Sequence, residues 1–394
     1  MDETKFIPFA LLLAVAACGG GDEAAPVAYD WALAAEPSVV VGDSPEEGGV
    51  LHDVTAAAML SDGRIVVADG GLGGGRLSLF GPEGEVLPAL GRTGEGPGEY
   101  SWITSVEVGA ADSLFVFDAM LQRLTVVDPN ARRVSTVVID AGIITENDRF
   151  RTLHRQADGS WIGLGLDRGR WGEPQQIARD TVPVGRLDGT LSTFGELTSL
   201  PGPLNVRVAV DGQGFMGSPH FTPWPSAAAW GECAFSTSGE DATVEVHDRD
   251  GSPLPFQPLP VAARPVTDAL VDDYLSSRLA LVPPEREAMT RQLIEDTPRT
   301  HNLPYFSALT VDPWGHLWLQ EYQPPRGVST RWYVVSQTGE LLTEVTSPEP
   351  MRLLAVHEDG VLARTTGPLD EQFVAFYPWL RGGTQLAPPR PECR

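Results

Sequence analysis

Lysine is almost absent. The 394-residue chain has one, Lys5, and every other base is arginine. That excludes Schiff-base lysines, a P-loop lysine and a Ser-Lys pair from the rest of the chain. Bases of any kind are few, 28 against 53 acids, a formal balance of −25. A surface of that sign repels phosphate, so no nucleic-acid partner is expected. Cysteine occurs only at Cys18, Cys233 and Cys393, too few for a disulfide framework. No apolar run reaches the ~18 residues of a membrane span. The seven histidines show neither HxxxH nor HxH spacing. There is no DxDxDG calcium loop and no GxSxG elbow. Local motifs therefore supply no catalytic residue, no cofactor site and no metal site, although distant segments can still assemble one.

What the chain has in quantity is turn and core material: 42 Gly, 34 Pro, 10 Trp and 14 Phe. Such an aromatic content supports a sizeable packed core, so the chain is globular despite its charge.

Residues 6–17 (FIPFALLLAVAA) form a 12-residue apolar run. It is too short to span a bilayer and fits a signal-peptide core. It ends at Val15-Ala16-Ala17-Cys18, followed by Gly19-Gly20-Gly21-Asp22-Glu23. Small residues before a cysteine resemble the bacterial lipobox. The alternative is an ordinary secretory signal with an incidental cysteine. The resemblance implies cleavage after residue 17, lipid attachment at Cys18, and a flexible tether over 18–28. It also implies an outer-membrane lipoprotein facing the periplasm or the cell surface. Several acyl chains anchor stably where one would not. Removing 1–17, with two acids and one base, shifts the balance to −24 and leaves no lysine. In an oxidising compartment Cys233 and Cys393 could pair; a buried Cys233 with a loose tail thiol is the alternative.

A turn-then-strand unit recurs along the chain. It starts at Asp62-Gly63, Asp112-Ser113, Asp158-Gly159, Asp211-Gly212, Asp312-Pro313 and Asp359-Gly360. Each start is followed by apolar residues, as in Ile65-Val66-Val67 and Leu114-Phe115-Val116. Asp-Gly between apolar runs signals a hairpin, because the turn requires positive φ. The Asp positions step by 50, 46, 53, 101 and 47. Second strand pairs follow, such as Arg76–Phe80 and Arg123–Val127. About four short strands per unit cannot cover both faces alone; arranged radially they can. The expected fold is all-β, a six-bladed β-propeller over 29–381, with a tail at 382–394. The units fall near 48–100, 101–147, 148–201, 202–262, 303–347 and 348–381. Residues 29–48 are expected to add the closing strand, removing an open edge.

The doubled step holds an insertion, 264–300. Thr267 can cap a helix over 268–281, with Leu270, Tyr274 and Leu281 on one face. Pro283-Pro284 opens a second helix over 285–295. This predicts a helical hairpin between blades four and five. Its many acids read as a solvated face, or as a docking surface over one end of the channel.

The stretch Gly91-Arg92-Thr93-Gly94-Glu95-Gly96-Pro97-Gly98-Glu99-Tyr100 resembles the GRxGEGPGE-aromatic loop of bacterial six-bladed β-propeller lipoproteins, related in shape to NHL and TolB-like propellers. Val311-Asp312-Pro313-Trp314-Gly315-His316-Leu317-Trp318 agrees with it. The resemblance covers about 38–381. It implies a fold and no catalytic residues.

Three local features remain. Arg92 could pair with Glu95 or Glu99 to hold an inter-blade connection, or grip an anion at the rim. Gly212–Gly217 matches GxGxxG, but Pro219, Pro223 and Pro225 forbid the helix that a dinucleotide site needs. His220, Trp224 and Trp230 lie in or near this proline-rich segment, which could present an aromatic platform or simply pack a loop. The expected function is a non-catalytic binding or scaffold protein for a protein, peptide or carbohydrate at a propeller face. The alternative is a metal-dependent hydrolase or lyase, gluconolactonase-like, using the central channel.

Overall fold

The computed structural model describes residues 31–44, 46, 48–72, 74–130, 134–140, 142–144, 149–166, 176–210, 213–324 and 329–380. Cys18 and Cys393 lie outside them, as do the signal segment, the tether and the tail.

After β1 (Val39–Val41), the first sheet runs β2 (Ala56–Met59), β3 (Ile65–Asp69), β4 (Arg76–Phe80), β5 (Val86–Thr93) and β6 (Glu99–Tyr100). The second holds β7 (Ile103–Val108), β8 (Leu114–Asp118), β9 (Arg123–Val127) and β10 (Val134–Val138). The third holds β11 (Phe150–Arg155), β12 (Trp161–Gly165), β14 (Thr181–Leu187) and β15 (Phe194–Pro201), with β13 (Ile177–Ala178) diverted elsewhere. A small separate sheet joins β13 to β16 (Asn205–Val210) and β17 (Gln213–Gly217). Then come β18 (Ser226–Trp230), β19 (Cys233–Thr237), β20 (Glu245–His247) and β21 (Pro253–Leu254). The last sheet is continuous through β22 (Phe306–Val311), β23 (Leu317–Glu321), β24 (Ser329–Val335), β25 (Leu341–His357), β26 (Gly360–Thr366) and β27 (Gln372–Pro378). β1 completes it, pairing Val40 with Ala375.

The innermost strands close a ring. β2 touches β7, β7 touches β11, β11 touches β18, β18 touches β22, β22 touches β25, and β25 returns to β2. Antiparallel sheets standing radially around one axis make a β-propeller. Each pair of neighbours encloses its own apolar cluster. Val66, Leu77, Leu114 and Val116 fill the gap between the first and second sheets. Val41, Val67, Phe80, Leu362 and Val374 seal the last sheet against the first. The second strand of a sheet has neighbours on both faces, so β3, β12 and β19 are buried throughout. β10, an outer edge, is exposed throughout. The repeated turn needs left-handed backbone, and Gly63, Gly159 and Gly315 take φ of 84°, 89° and 89°.

Buried acids tie the sheets together. Asp118 has no exposed surface. One carboxylate oxygen accepts from Ser101 N (2.6 Å) and Trp102 N (3.2 Å), the other from Met120 N (3.0 Å) and Leu121 N (2.9 Å). It therefore fixes where β7 begins. Asp69 does the same one sheet earlier, accepting from His52 N, Asp53 N and Arg76.

The fourth unit differs from the sequence expectation of 202–262. The strands around Asp211-Gly212 belong to the small separate sheet, where Val206 and Val208 pack on Leu293. The inner hairpin of the fourth large sheet is β18–β19, turning at Gly231-Glu232. Prolines 219, 223 and 225 interrupt the chain before it, so no strand runs directly from 217 into 226.

Two α-helices occur among the described residues, in sequence between β21 and β22. α1 (Asp268–Leu279) is capped by the Thr267 hydroxyl, which accepts from Leu270 N. α2 is Pro284–Asp296. Val271 and Leu275 of α1 are buried; Val271 packs with Phe221, Leu303 and Tyr322, and Leu270 and Tyr274 pack partly buried against the same cluster. Leu281 falls beyond the helix and is 71% exposed. No helix among the described residues is long and apolar enough to cross a membrane.

Candidate functional site: the central channel

The inner strands surround a cavity of about 600 Å³. Two of its walls are small: Ala56–Ala58 on β2 and Ala227–Ala229 on β18. These strands stand opposite each other, three steps apart in the ring of contacts. Polar residues come from the others: Thr104 and Glu107, Arg151, Thr152 and His154, Ser307, Gln320 and Arg352.

Bulges place several of these. The pairing of β7 with β8 skips Thr104, that of β11 with β12 skips Arg151, and that of β22 with β23 skips Ser307. An extra residue in one strand re-aims its side chain. The Arg151 guanidinium sits 4.7 Å from the Trp224 ring centre, a cation–π contact.

Glu107 bridges two sheets. Its Oε2 accepts from Arg155 N (2.8 Å), and its Oε1 accepts from His154 Nδ1 (3.1 Å). With Nδ1 protonated, the neutral ring presents Nε2 as an acceptor, and the Thr152 hydroxyl donates to it at 3.2 Å. Carboxylate, imidazole and hydroxyl thus line up along the channel wall. The other lining acid, Asp312, is buried and engaged. It accepts from Trp314 N, His316 N, His316 Nδ1 and Trp318 Nε1. Among the described residues, Thr104 Oγ1, Ser307 Oγ and Gln320 Nε2 in the lining are buried without a hydrogen-bond partner. Among the described residues, no group of three or more His, Cys, Asp or Glu side chains is placed to hold a metal.

No family model and no curated protein matches the chain. Solved structures do resemble it at low identity. Regucalcin from Agrobacterium tumefaciens, a calcium-binding protein, is 7% identical, with 91% of this chain and 99% of that one covered and a TM-score of 0.44. A gluconolactonase from Xanthomonas campestris is 14% identical, with 89% and 98% covered and a TM-score of 0.44. Virginiamycin B lyase from Staphylococcus aureus is 9% identical, with 88% of each chain covered and a TM-score of 0.39. At these identities and scores, none of their activities or ligands passes to this chain.

The residues singled out in the sequence lie in several places. Arg92 pairs with Glu99 (2.7 Å), not with Glu95. The Gly96 N–H first, and then Arg92, hold the Glu99 carboxyl below its usual range. Glu95 contributes its backbone carbonyl, which accepts from Arg123 Nη1 (2.7 Å); Arg123 Nη2 donates to Glu99 O. Arg123 belongs to the second sheet, so the glycine-rich loop is clamped between sheets one and two. Trp224 lines the channel. Trp230 stands at the far end of β18, its Nε1 donating to Pro313 O (3.3 Å). His220 is packed under the helices: Nε2–H donates to Ile294 O (3.1 Å), and its ring lies 4.8 Å from that of Tyr274. Burial lowers its pKa, an effect partly offset by that donation. The three aromatics therefore form no common exposed platform. Cys233 is fully buried and disulfide-bonded.

Of the channel lining, sequence reasoning singled out Trp224 as a candidate binder and Asp312 only as a turn residue. Arg151 is more than 150 residues from Gln320 and Arg352, and only closure of the ring brings it to them.

Proposed function

We propose that this chain is a lipid-anchored protein of the bacterial cell envelope, a six-bladed propeller with α1–α2 inserted between blades four and five, that binds a ligand without transforming it. The pocket for it is the central channel. The observation that carries this reading is the channel's make-up. Its lining acids are engaged by protein groups, and its alanine walls leave it open to a ligand. The non-catalytic part is tested by metal analysis of the purified protein with melting scans in EDTA. No bound metal and no shift are expected; stoichiometric metal with a clear loss of Tm would overturn it.

Anchoring rests on the Val15-Ala16-Ala17-Cys18 pattern and places the protein at the outer membrane. Cys18→Ser should abolish lipid labelling and release the protein from membranes; retention with label intact would refute it. The disulfide of Cys233 is assigned to Cys393, because lipidation would occupy Cys18.

A second reading draws on Glu107, His154 and Thr152. A carboxylate that orients an imidazole, which in turn accepts from a hydroxyl, is the geometry of general-base catalysis. Chromogenic esters and lactones test it. Turnover by the full chain that disappears in His154→Gln would replace the binding reading with a hydrolytic one.

A further inference from the structure

One end of the channel is built from hydrogen-bond donors. Arg352 opens the inner stretch of β25. Beside it, Gln320 is 1% exposed; its Oε1 accepts from Leu353 N, which leaves Nε2 as a buried donor without a partner. Gln320 pairs with Ala308, next to the bulged Ser307, whose hydroxyl also lacks a partner. Arg151, held over Trp224, lies on β11, three steps around the ring from β25, and so across the channel. Thr104, from the neighbouring β7, adds a second hydroxyl without a partner.

These groups share one chemistry. Guanidinium and primary amide offer N–H, hydroxyls can donate, and the nearby acids already accept from protein donors. A buried amide nitrogen without a partner is costly unless a ligand or water receives its protons. Guanidinium forks match the two oxygens of a carboxylate or phosphate. The chain's overall negative charge does not oppose this strongly, because surface charges beyond about 8 Å are screened at physiological salt.

We propose that this end of the channel, formed by Ser307, Gln320 and Arg352 with Arg151 and Trp224 opposite, binds the oxyanion of a small organic acid, either a carboxylate or a phosphate ester. The proposal rests on the reading of the channel as a binding site and specifies its ligand class. Trp224 and the alanine walls receive the uncharged part of the ligand.

Calorimetric titration of the full chain with D-glucuronate, glucose 6-phosphate and glucose tests it, because the three share a ring and differ in charge. Both anions should bind, glucose at least tenfold more weakly; which anion is tighter tells carboxylate from phosphate. Arg151→Gln and Arg352→Gln should each weaken anion binding at least tenfold with Tm nearly unchanged. Arg352→Lys should retain part of it. It would also carry the only lysine outside residues 1–17, and glucuronate should protect that amine from acetylation. The proposal fails if neither anion binds at 10 mM, or if the double Gln variant binds as the parent does. Equal binding of glucose also defeats it, while leaving the channel standing as a neutral-ligand site. Binding of none of the three removes both readings.

Discussion

Replacing Asp118 by Asn is a sharp test of how the sheets are held in register. The side chain is buried, and its two oxygens take four backbone N–H groups. Asparagine keeps the shape but has one acceptor oxygen. If that oxygen keeps Met120 N and Leu121 N, the new amide NH₂ faces Ser101 N and Trp102 N, donor against donor. Each unsatisfied buried donor costs about 1–3 kcal/mol. Two give about 4 kcal/mol. For a folded region of about 350 residues, that corresponds to roughly 5 °C in Tm. Urea unfolding and calorimetry of the purified variant measure both. Asp188 is the control: it also accepts several hydrogen bonds, from Thr190, Ser192 and Thr193, but in an exposed turn. Asp188→Asn should therefore cost much less. Equal losses at the two sites, or no loss at Asp118, would refute the argument that buried carboxylates fix where β7 starts. Because β7 carries Thr104 and Glu107, Asp118→Asn should also weaken ligand binding in the channel.

Other outcomes follow from the same coordinates. Burial lowers the pKa of His220 and of His247. The unfolded chain then takes up protons first on acidification, so stability falls as pH drops below about 6.5, the unfolded value. His220→Gln should flatten that slope in urea titrations between pH 7.5 and 5.5, and an unchanged slope would contradict it. At Gly339, φ is 90° and an added Cβ would lie 2.1 Å from the Gln257 carbonyl oxygen. Gly339→Ala should therefore cost more than about 2 kcal/mol. At Gly195 nothing lies within 4 Å of an added Cβ, so Gly195→Ala should stay within about 0.5 kcal/mol. Peptide mapping without reductant should recover Cys233 joined to Cys393; a free Cys393 thiol would refute that pairing.

The radial sheets were legible because their turns are chemical. Asp-Gly before an apolar run needs positive φ, and Gly63 and Gly159 adopt it. The same rule misplaced the fourth unit. Asp211-Gly212 has the right chemistry, but the strands on either side of it, β16 and β17, pair with each other, β16 also pairs with β13, and both pack on α2. The true inner hairpin turns at Gly231-Glu232, where Gly231 also takes positive φ, 60°, but no Asp precedes it. Helix α1 was readable from Thr267, and Leu270 and Tyr274 of the expected face do pack inward; Leu281 does not, because the chain leaves the helix before it. For the GRTGEGPGEY loop the sequence left two readings open, an inter-blade connection or an anion grip by Arg92; in the structure Arg92 pairs with Glu99, and Arg123 of the second sheet donates to Glu95 O and Glu99 O. The channel was illegible for a different reason. Its chemistry depends on bulges and on ring closure, neither of which has a local sequence pattern. Arg151 reads as a surface arginine until β11 bulges and turns it toward Trp224.

Native mass spectrometry of the full chain, purified without added ligand, tests the central claim most directly. The account predicts a small organic acid retained at one per chain, released on denaturation and absent from the Arg151→Gln, Arg352→Gln double variant. A stoichiometric divalent metal in its place, or the same adduct on the double variant, would contradict it.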